Sequence, residues 1–125
     1  MLKIEFMYYD KTSCSRCRST DESVKKILHN LKSAIKDTDE RVIFKETRLP
    51  ESKMRLSPSI LINGKDIESI VGEKQLKSNP CTDCCKMVGH PVQCRTFKYK
   101  GKNYDHIPKR MITDAITRAE DDSSV

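Results

Sequence analysis

Residues 2–35 set the frame for the rest of the chain. Leu2, Ile4, Phe6 and Tyr8 alternate with Lys3, Glu5, Met7 and Tyr9, which predicts a strand with one face turned to a core. After the polar loop Asp10-Lys11-Thr12-Ser13 the period changes. From about Cys14 to Ile35, the residues Val24, Ile27, Leu28, Leu31, Ala34 and Ile35 recur at spacings of three and four, which predicts one amphipathic helix. His29 lies off that stripe and reads as a surface residue. The junction between strand and helix carries Cys14-Ser15-Arg16-Cys17. A helix N-terminus offers unpaired N–H groups and partial positive charge, which stabilise an anion. The thiolate is the anionic, reactive form of cysteine. Strand, CxxC and helix in that order therefore predict an activated thiol pair. Cys14 is expected in the first, more exposed turn, with Arg16 as a further cation nearby.

The next elements read outward from this unit. Residues 36–40 are a polar connection, and Arg41–Thr47, built around Val42-Ile43-Phe44, predicts a second strand that completes a right-handed βαβ unit. Leu49–Leu56 is charged and irregular and is expected to be exposed. Ile60-Leu61-Ile62 predicts a short buried strand, with Pro58 ahead of it where a missing N–H costs least. Asn63-Gly64 is a strong type I′ turn signal, because both positions need φ > 0, and Lys65-Asp66-Ile67 returns from it.

Residues 68–94 form a cysteine-rich insertion with little periodic apolar content; it holds four of the six cysteines. Arg95–Tyr99 and Asn103–Asp105 flank Lys100-Gly101-Lys102, which predicts another hairpin. Pro108 suits the first position of a final helix, with Met111, Ile112, Ala115, Ile116 and Ala119 on its apolar face. The expected organisation is a single domain over 1–119 and a flexible acidic tail over 120–125.

Composition narrows the setting. A chain of 125 residues with 36% hydrophobic and 34% charged residues fits one domain with an economical core and an ionic surface. The net charge of +6 permits attraction to nucleic acid, yet no nucleic-acid motif accompanies it, so a solvated Lys-rich surface is expected. The N-terminus lacks a long apolar signal region, and no stretch approaches the roughly 20 apolar residues of a membrane span. A cytoplasmic protein is expected. In a reducing compartment, six cysteines point to redox or metal chemistry rather than to a disulfide framework.

Cys14-x-x-Cys17 after the first strand, Ser57-Pro58 before the third and the Asn63-Gly64 hairpin together resemble the thioredoxin-like superfamily over about residues 1–70 and the last helix. The resemblance implies an α/β fold with a central mixed sheet of about four strands in β-α-β-β-β-α order, interrupted by the cysteine-rich insertion. It also implies that Pro58 is cis, lies against the CxxC, shields it from metal and offers a backbone edge to a partner chain. The run Cys81-Thr82-Asp83-Cys84-Cys85, then Cys94-Arg95-Thr96-Phe97 and Tyr99-x-Gly101-Lys102-x-Tyr104, is similar to a small prokaryotic thioredoxin-like family of uncharacterised function. The chain departs from thioredoxin itself: no Trp precedes the CxxC, and Ser15-Arg16 stand where thioredoxin has Gly-Pro.

The chemistry expected is thiol–disulfide exchange. Cys14 attacks a protein or small-molecule disulfide, and Cys17 resolves the mixed disulfide; the pair needs no cofactor beyond an electron donor. The alternative is a non-catalytic module that binds zinc or a soft metal on the same scaffold. Cys81, Cys84 and Cys94, with Cys85 or His90 as a fourth ligand, supply enough donors for tetrahedral zinc. The adjacent Cys84 and Cys85 strain simultaneous ligation. A second redox dithiol that exchanges with Cys14–Cys17, a soft-metal site and plain structural thiols are the competing readings of this cluster.

Overall fold

In a computed structural model of the chain, which describes residues 2–12, 14–34, 42–71, 78–80, 89 and 93–123, the N-terminal alternation becomes strand β1 (Leu2–Tyr8). Leu2, Ile4 and Phe6 are buried while Lys3 is exposed, so one face of the strand serves the core. Helix α1 (Ser15–Ala34) follows, then β2 (Val42–Arg48), a 3-10 helix (Glu51–Leu56), β3 (Ser59–Ile62) and β4 (Lys65–Asp66). The chain is thus a mixed α/β structure. Its main sheet has four strands in the order β2-β1-β3-β4. β1 and β2 are parallel, as the helical crossover requires, and β3 runs antiparallel to both β1 and β4.

Register follows the apolar pattern. Ile4 stands opposite Phe44 on one side and Ile62 on the other, and Phe6 opposite Ile60. The Asn63-Gly64 turn has φ of 51° and 83°, the left-handed values a tight hairpin needs. Asn63 also pins the turn to β1: its N–H donates to the Lys3 carbonyl at 2.8 Å, and its Oδ1 accepts from the Lys3 N–H at 2.9 Å. The returning strand is shorter than expected. Ile67 opens helix α2 (Ile67–Ile70), because Asp66 caps it by accepting the Glu68 N–H at 2.9 Å.

Beyond the sheet, β5 (Ser78–Pro80) pairs with β6 (Gln93–Arg95), and β7 (Phe97–Tyr99) pairs with β8 (Lys102–Tyr104). Arg95 therefore belongs to a strand of its own, not to the hairpin in which its sequence neighbours placed it. Lys100 and Gly101 make the hairpin turn with φ of 50° and 80°. The last helix, α3 (Lys109–Ser123), runs past the expected end at residue 119, so residues 120–123 continue the helix. It packs on α1, α2 and β3. The main core joins Ile4, Phe6, Ile60 and Ile62 of the sheet to Val24 and Leu28 of α1 and to Met111, Ile112, Ala115 and Ile116 of α3. Thr20 of α1 is fully buried and accepts the Ile107 N–H at 3.1 Å, which fixes the approach to α3.

The segment expected to be irregular is regular, and it is exposed as expected except at two apolar positions. Residues 51–56 form the 3-10 helix, and Leu49 and Met54 are buried. Among the described residues no helix is long and apolar enough to cross a membrane.

Candidate functional site

The strand-to-helix junction delivers Cys14 and Cys17 to one place. The Cys14 carbonyl accepts the Arg18 N–H at 2.9 Å, so Cys14 sits at the position that opens α1, and Cys17 lies in the first turn. The approach is held by side chains. Thr12 N–H donates to Asp10 Oδ1 at 2.7 Å, and Arg18 Nη1 donates to the Thr12 carbonyl at 3.3 Å. Lys11 and Lys25 both reach Glu46 Oε1, at 2.9 and 3.0 Å, tying this loop and α1 to β2.

Cys14 is not in an exposed turn. Both cysteines have no exposed surface, because Met54 of the 3-10 helix and Cys94 of β6 pack over them, with Tyr8 and Tyr9 alongside. The sequence placed Cys94 in a separate cluster; the fold brings it to the CxxC. All three residues stand as thiols.

The Cys17 thiol is pushed far up from its ordinary pKa, first by its hydrogen bond with Cys14, then by burial and by the charge of Cys14. Backbone hydrogen bonds from Tyr9 and Asp10 pull weakly the other way. The first turn of α1 contains Arg16 and Arg18 and no acidic residue.

The cover is fastened to the sheet. Arg16 Nη1 donates to the Cys94 carbonyl at 3.3 Å, and the Arg95 N–H donates to the Ser57 carbonyl at 3.2 Å. The Arg95 side chain is 4% exposed and carries most of the attachment. Its Nη1 and Nη2 grip the two oxygens of Asp66 at 2.7 Å each, Nη2 also reaches Glu68 Oε1 at 2.6 Å, and Nη1 reaches Ser59 Oγ at 2.8 Å. The guanidinium also lies 4.8 Å from the Phe97 ring centroid. A buried arginine with bidentate and further carboxylate bonds is the arrangement that offsets its desolvation.

Ser57–Pro58 is a cis peptide, and Pro58 is buried between the 3-10 helix and β3. Cys81, Cys84, Cys85 and His90 lie outside the described residues. Among the described residues, no group of three or more His, Cys, Asp or Glu side chains is disposed to hold a metal ion. Sequence reasoning missed Met54, Asp66, Glu68 and Arg95. Their signal was faint, since a lone Met in a charged stretch makes no period and a buried ion cluster drawn from two distant stretches reads as surface charge.

An uncharacterized protein of Archaeoglobus fulgidus is 32% identical to this chain over 80 residues, which is 61% of the chain and 58% of that relative. The chain thus spans little more than half of the relative's length. No solved structure shows significant similarity to it. A family profile described as a domain of unknown function, DUF2703, matches residues 2–116. With nearly its whole length inside that match, the chain belongs to the DUF2703 family.

Proposed function

We propose that the protein is a thiol–disulfide oxidoreductase on a thioredoxin-like scaffold, with Cys14 as attacking thiolate and Cys17 as resolving thiol. The observation that carries this reading is the packing of Cys14 and Cys17 against each other, both buried, at the head of a 20-residue helix; the raised pKa of Cys17 beside Cys14 agrees with it. A thiol that holds its proton against a neighbouring sulfur leaves that neighbour to carry the charge. Cys14 then meets the positive end of α1. Arginines at a helix N-terminus oppose the helix dipole in isolation. Arg16 and Arg18 in the first turn suit a site where negative charge develops.

The strand order β2-β1-β3-β4, with α1 linking the parallel pair and a cis Ser57–Pro58 ahead of β3, supports the thioredoxin-like assignment. Exchange proceeds in two displacements. The Cys14 thiolate attacks a substrate disulfide and expels one thiolate; Cys17 attacks the Cys14 sulfur and expels the second. Because Cys14 is covered, a substrate reaches it only when the Met54–Cys94 cover moves aside.

Reduction of a protein disulfide by the pre-reduced chain tests the proposal. Turnover is expected from the unsubstituted chain and from Cys81→Ser, with loss in Cys14→Ser and Cys17→Ser. Equal turnover in Cys14→Ser and the unsubstituted chain would sink it.

A further inference from the structure

We propose that Cys94 is the third reactive thiol of this site and forms a disulfide with Cys14 inside the chain. The proposal rests on the reading of Cys14 as the attacking thiolate. Cys14, Cys17 and Cys94 have no exposed surface and pack together with Met54 in one cluster. A buried cysteine is often only a small apolar residue that fills a core. Cys94 differs in how it is held. Its carbonyl takes a hydrogen bond from Arg16, two residues after Cys14, and the next residue is fixed to Ser57 by backbone and to Asp66, Glu68 and Ser59 by side chain. These contacts hold a sulfur beside the CxxC at the expense of burying a guanidinium and a carboxylate.

Proximity decides which thiol reacts. A group held beside its target acts at an effective concentration far above that of a thiol in solution. When the Cys14 thiolate attacks a disulfide R–S–S–R′, a bond forms to one sulfur and R′–S⁻ leaves. As the cover strand returns, the Cys94 thiolate attacks the Cys14 sulfur, the Cys14–Cys94 bond forms, and R–S⁻ leaves. The two leaving thiolates take up the protons given up by Cys14 and Cys94. Two electrons have passed from the protein dithiol to the substrate. Cys17 can next attack the Cys14 sulfur, giving Cys14–Cys17 and returning Cys94 to a thiol, with no further change in oxidation state. Cys94 thus occupies the covered site as an internal partner that the CxxC can oxidise or release.

Oxidised glutathione serves as the probe. The reduced full-length chain and its Cys17→Ser variant are mixed with it, quenched by acid and an alkylating reagent over a time series, and mapped by peptide mass spectrometry. The expected result is Cys14–Cys94 as the main Cys14 linkage in Cys17→Ser and as an early, minor species in the unsubstituted chain. Cys14 ending on glutathione, Cys81, Cys84 or Cys85 in the variant overturns the proposal while leaving Cys14 as the attacking thiolate. Cys14 bearing no disulfide in either chain overturns both readings. If Cys17→Ser does not fold, the unsubstituted chain decides: Cys14–Cys94 at early times supports the proposal, and Cys14–Cys17 forming without it overturns it.

Discussion

Arg95 holds Asp66 through two parallel hydrogen bonds of 2.7 Å, and this pair locks the strand that covers the thiols to β4, the edge strand of the main sheet. Removing one partner of a buried ion cluster leaves charge without compensation, which costs roughly 3–5 kcal/mol. Arg95→Met is therefore expected to lower the stability of the reduced chain by about that amount, since Glu68 is fully buried and Asp66 largely so. Urea denaturation followed by circular dichroism measures it. A loss below about 1 kcal/mol, the range of an exposed pair, would show that the cluster does not bear on stability.

The same cover governs access. In the folded chain, alkylation of Cys14 is expected to be slower than in urea by at least about tenfold, because each 1.4 kcal/mol needed to open the cover reduces the rate tenfold. Met54→Ala should narrow that gap, since Met54 is 3% exposed and packs on the sulfurs. Timed labelling with peptide mapping reads both rates. Equal rates in folded and unfolded protein would rule out a covered Cys14.

Alkaline pH should weaken the reduced protein through Cys17. Its folded pKa lies above the unfolded value, so above pH of about 8.5 the unfolded chain releases a proton that the folded chain keeps. The contribution is fully present below that pH and falls as pH rises, by about 1.4 kcal/mol per unit for one group. Thermal melts of reduced protein across this range are expected to show a shallower decline in Cys17→Ala than in the unsubstituted chain. Parallel declines would contradict the buried, protonated Cys17.

Acid acts at another point. Burial pushes the Glu46 carboxyl up, but hydrogen bonds and charge from Lys11 and Lys25 outweigh it and hold the group below its ordinary pKa. Its contribution is present above the unfolded value of about 4.3 and is lost as pH falls through the lower folded value. Glu46→Gln should lose less stability than the parent between pH of about 5 and 3. The difference should shrink in high salt, because these side chains are partly exposed. Melting temperatures in the two salts provide the check, and an unchanged acid slope would remove Glu46 from the account.

The elements legible in the sequence were those with a sustained period or a turn that demands one residue type. Leu2, Ile4 and Phe6 alternate, Val24 and Leu28 sit one helical turn apart, and Asn63-Gly64 can adopt positive φ. The 3-10 helix was not legible, because Met54 is its one buried residue among charged neighbours and one residue makes no period. Lys65-Asp66-Ile67 was read as continuous strand because the cap formed by Asp66 competes locally with strand pairing. Within the site, the CxxC was visible at once. The position of Cys94 was not, since it depends on a return of the chain across some 78 residues and on Arg95 meeting carboxylates 27 and 29 residues earlier.

The lack of exposed surface on Cys14 bears on how long such a site lasts. Progression of a thiolate to sulfinic and sulfonic acid needs an oxidant such as peroxide to reach the sulfur repeatedly, and the later steps are in general not reversed. A sulfur sealed beneath Met54 and the Cys94 strand meets such oxidants only in the brief intervals when the cover stands open. On the proposed reading of the CxxC as an exchanging dithiol, the packing that slows a substrate also preserves the dithiol between turnovers, and the closed form is a storage form of the reagent.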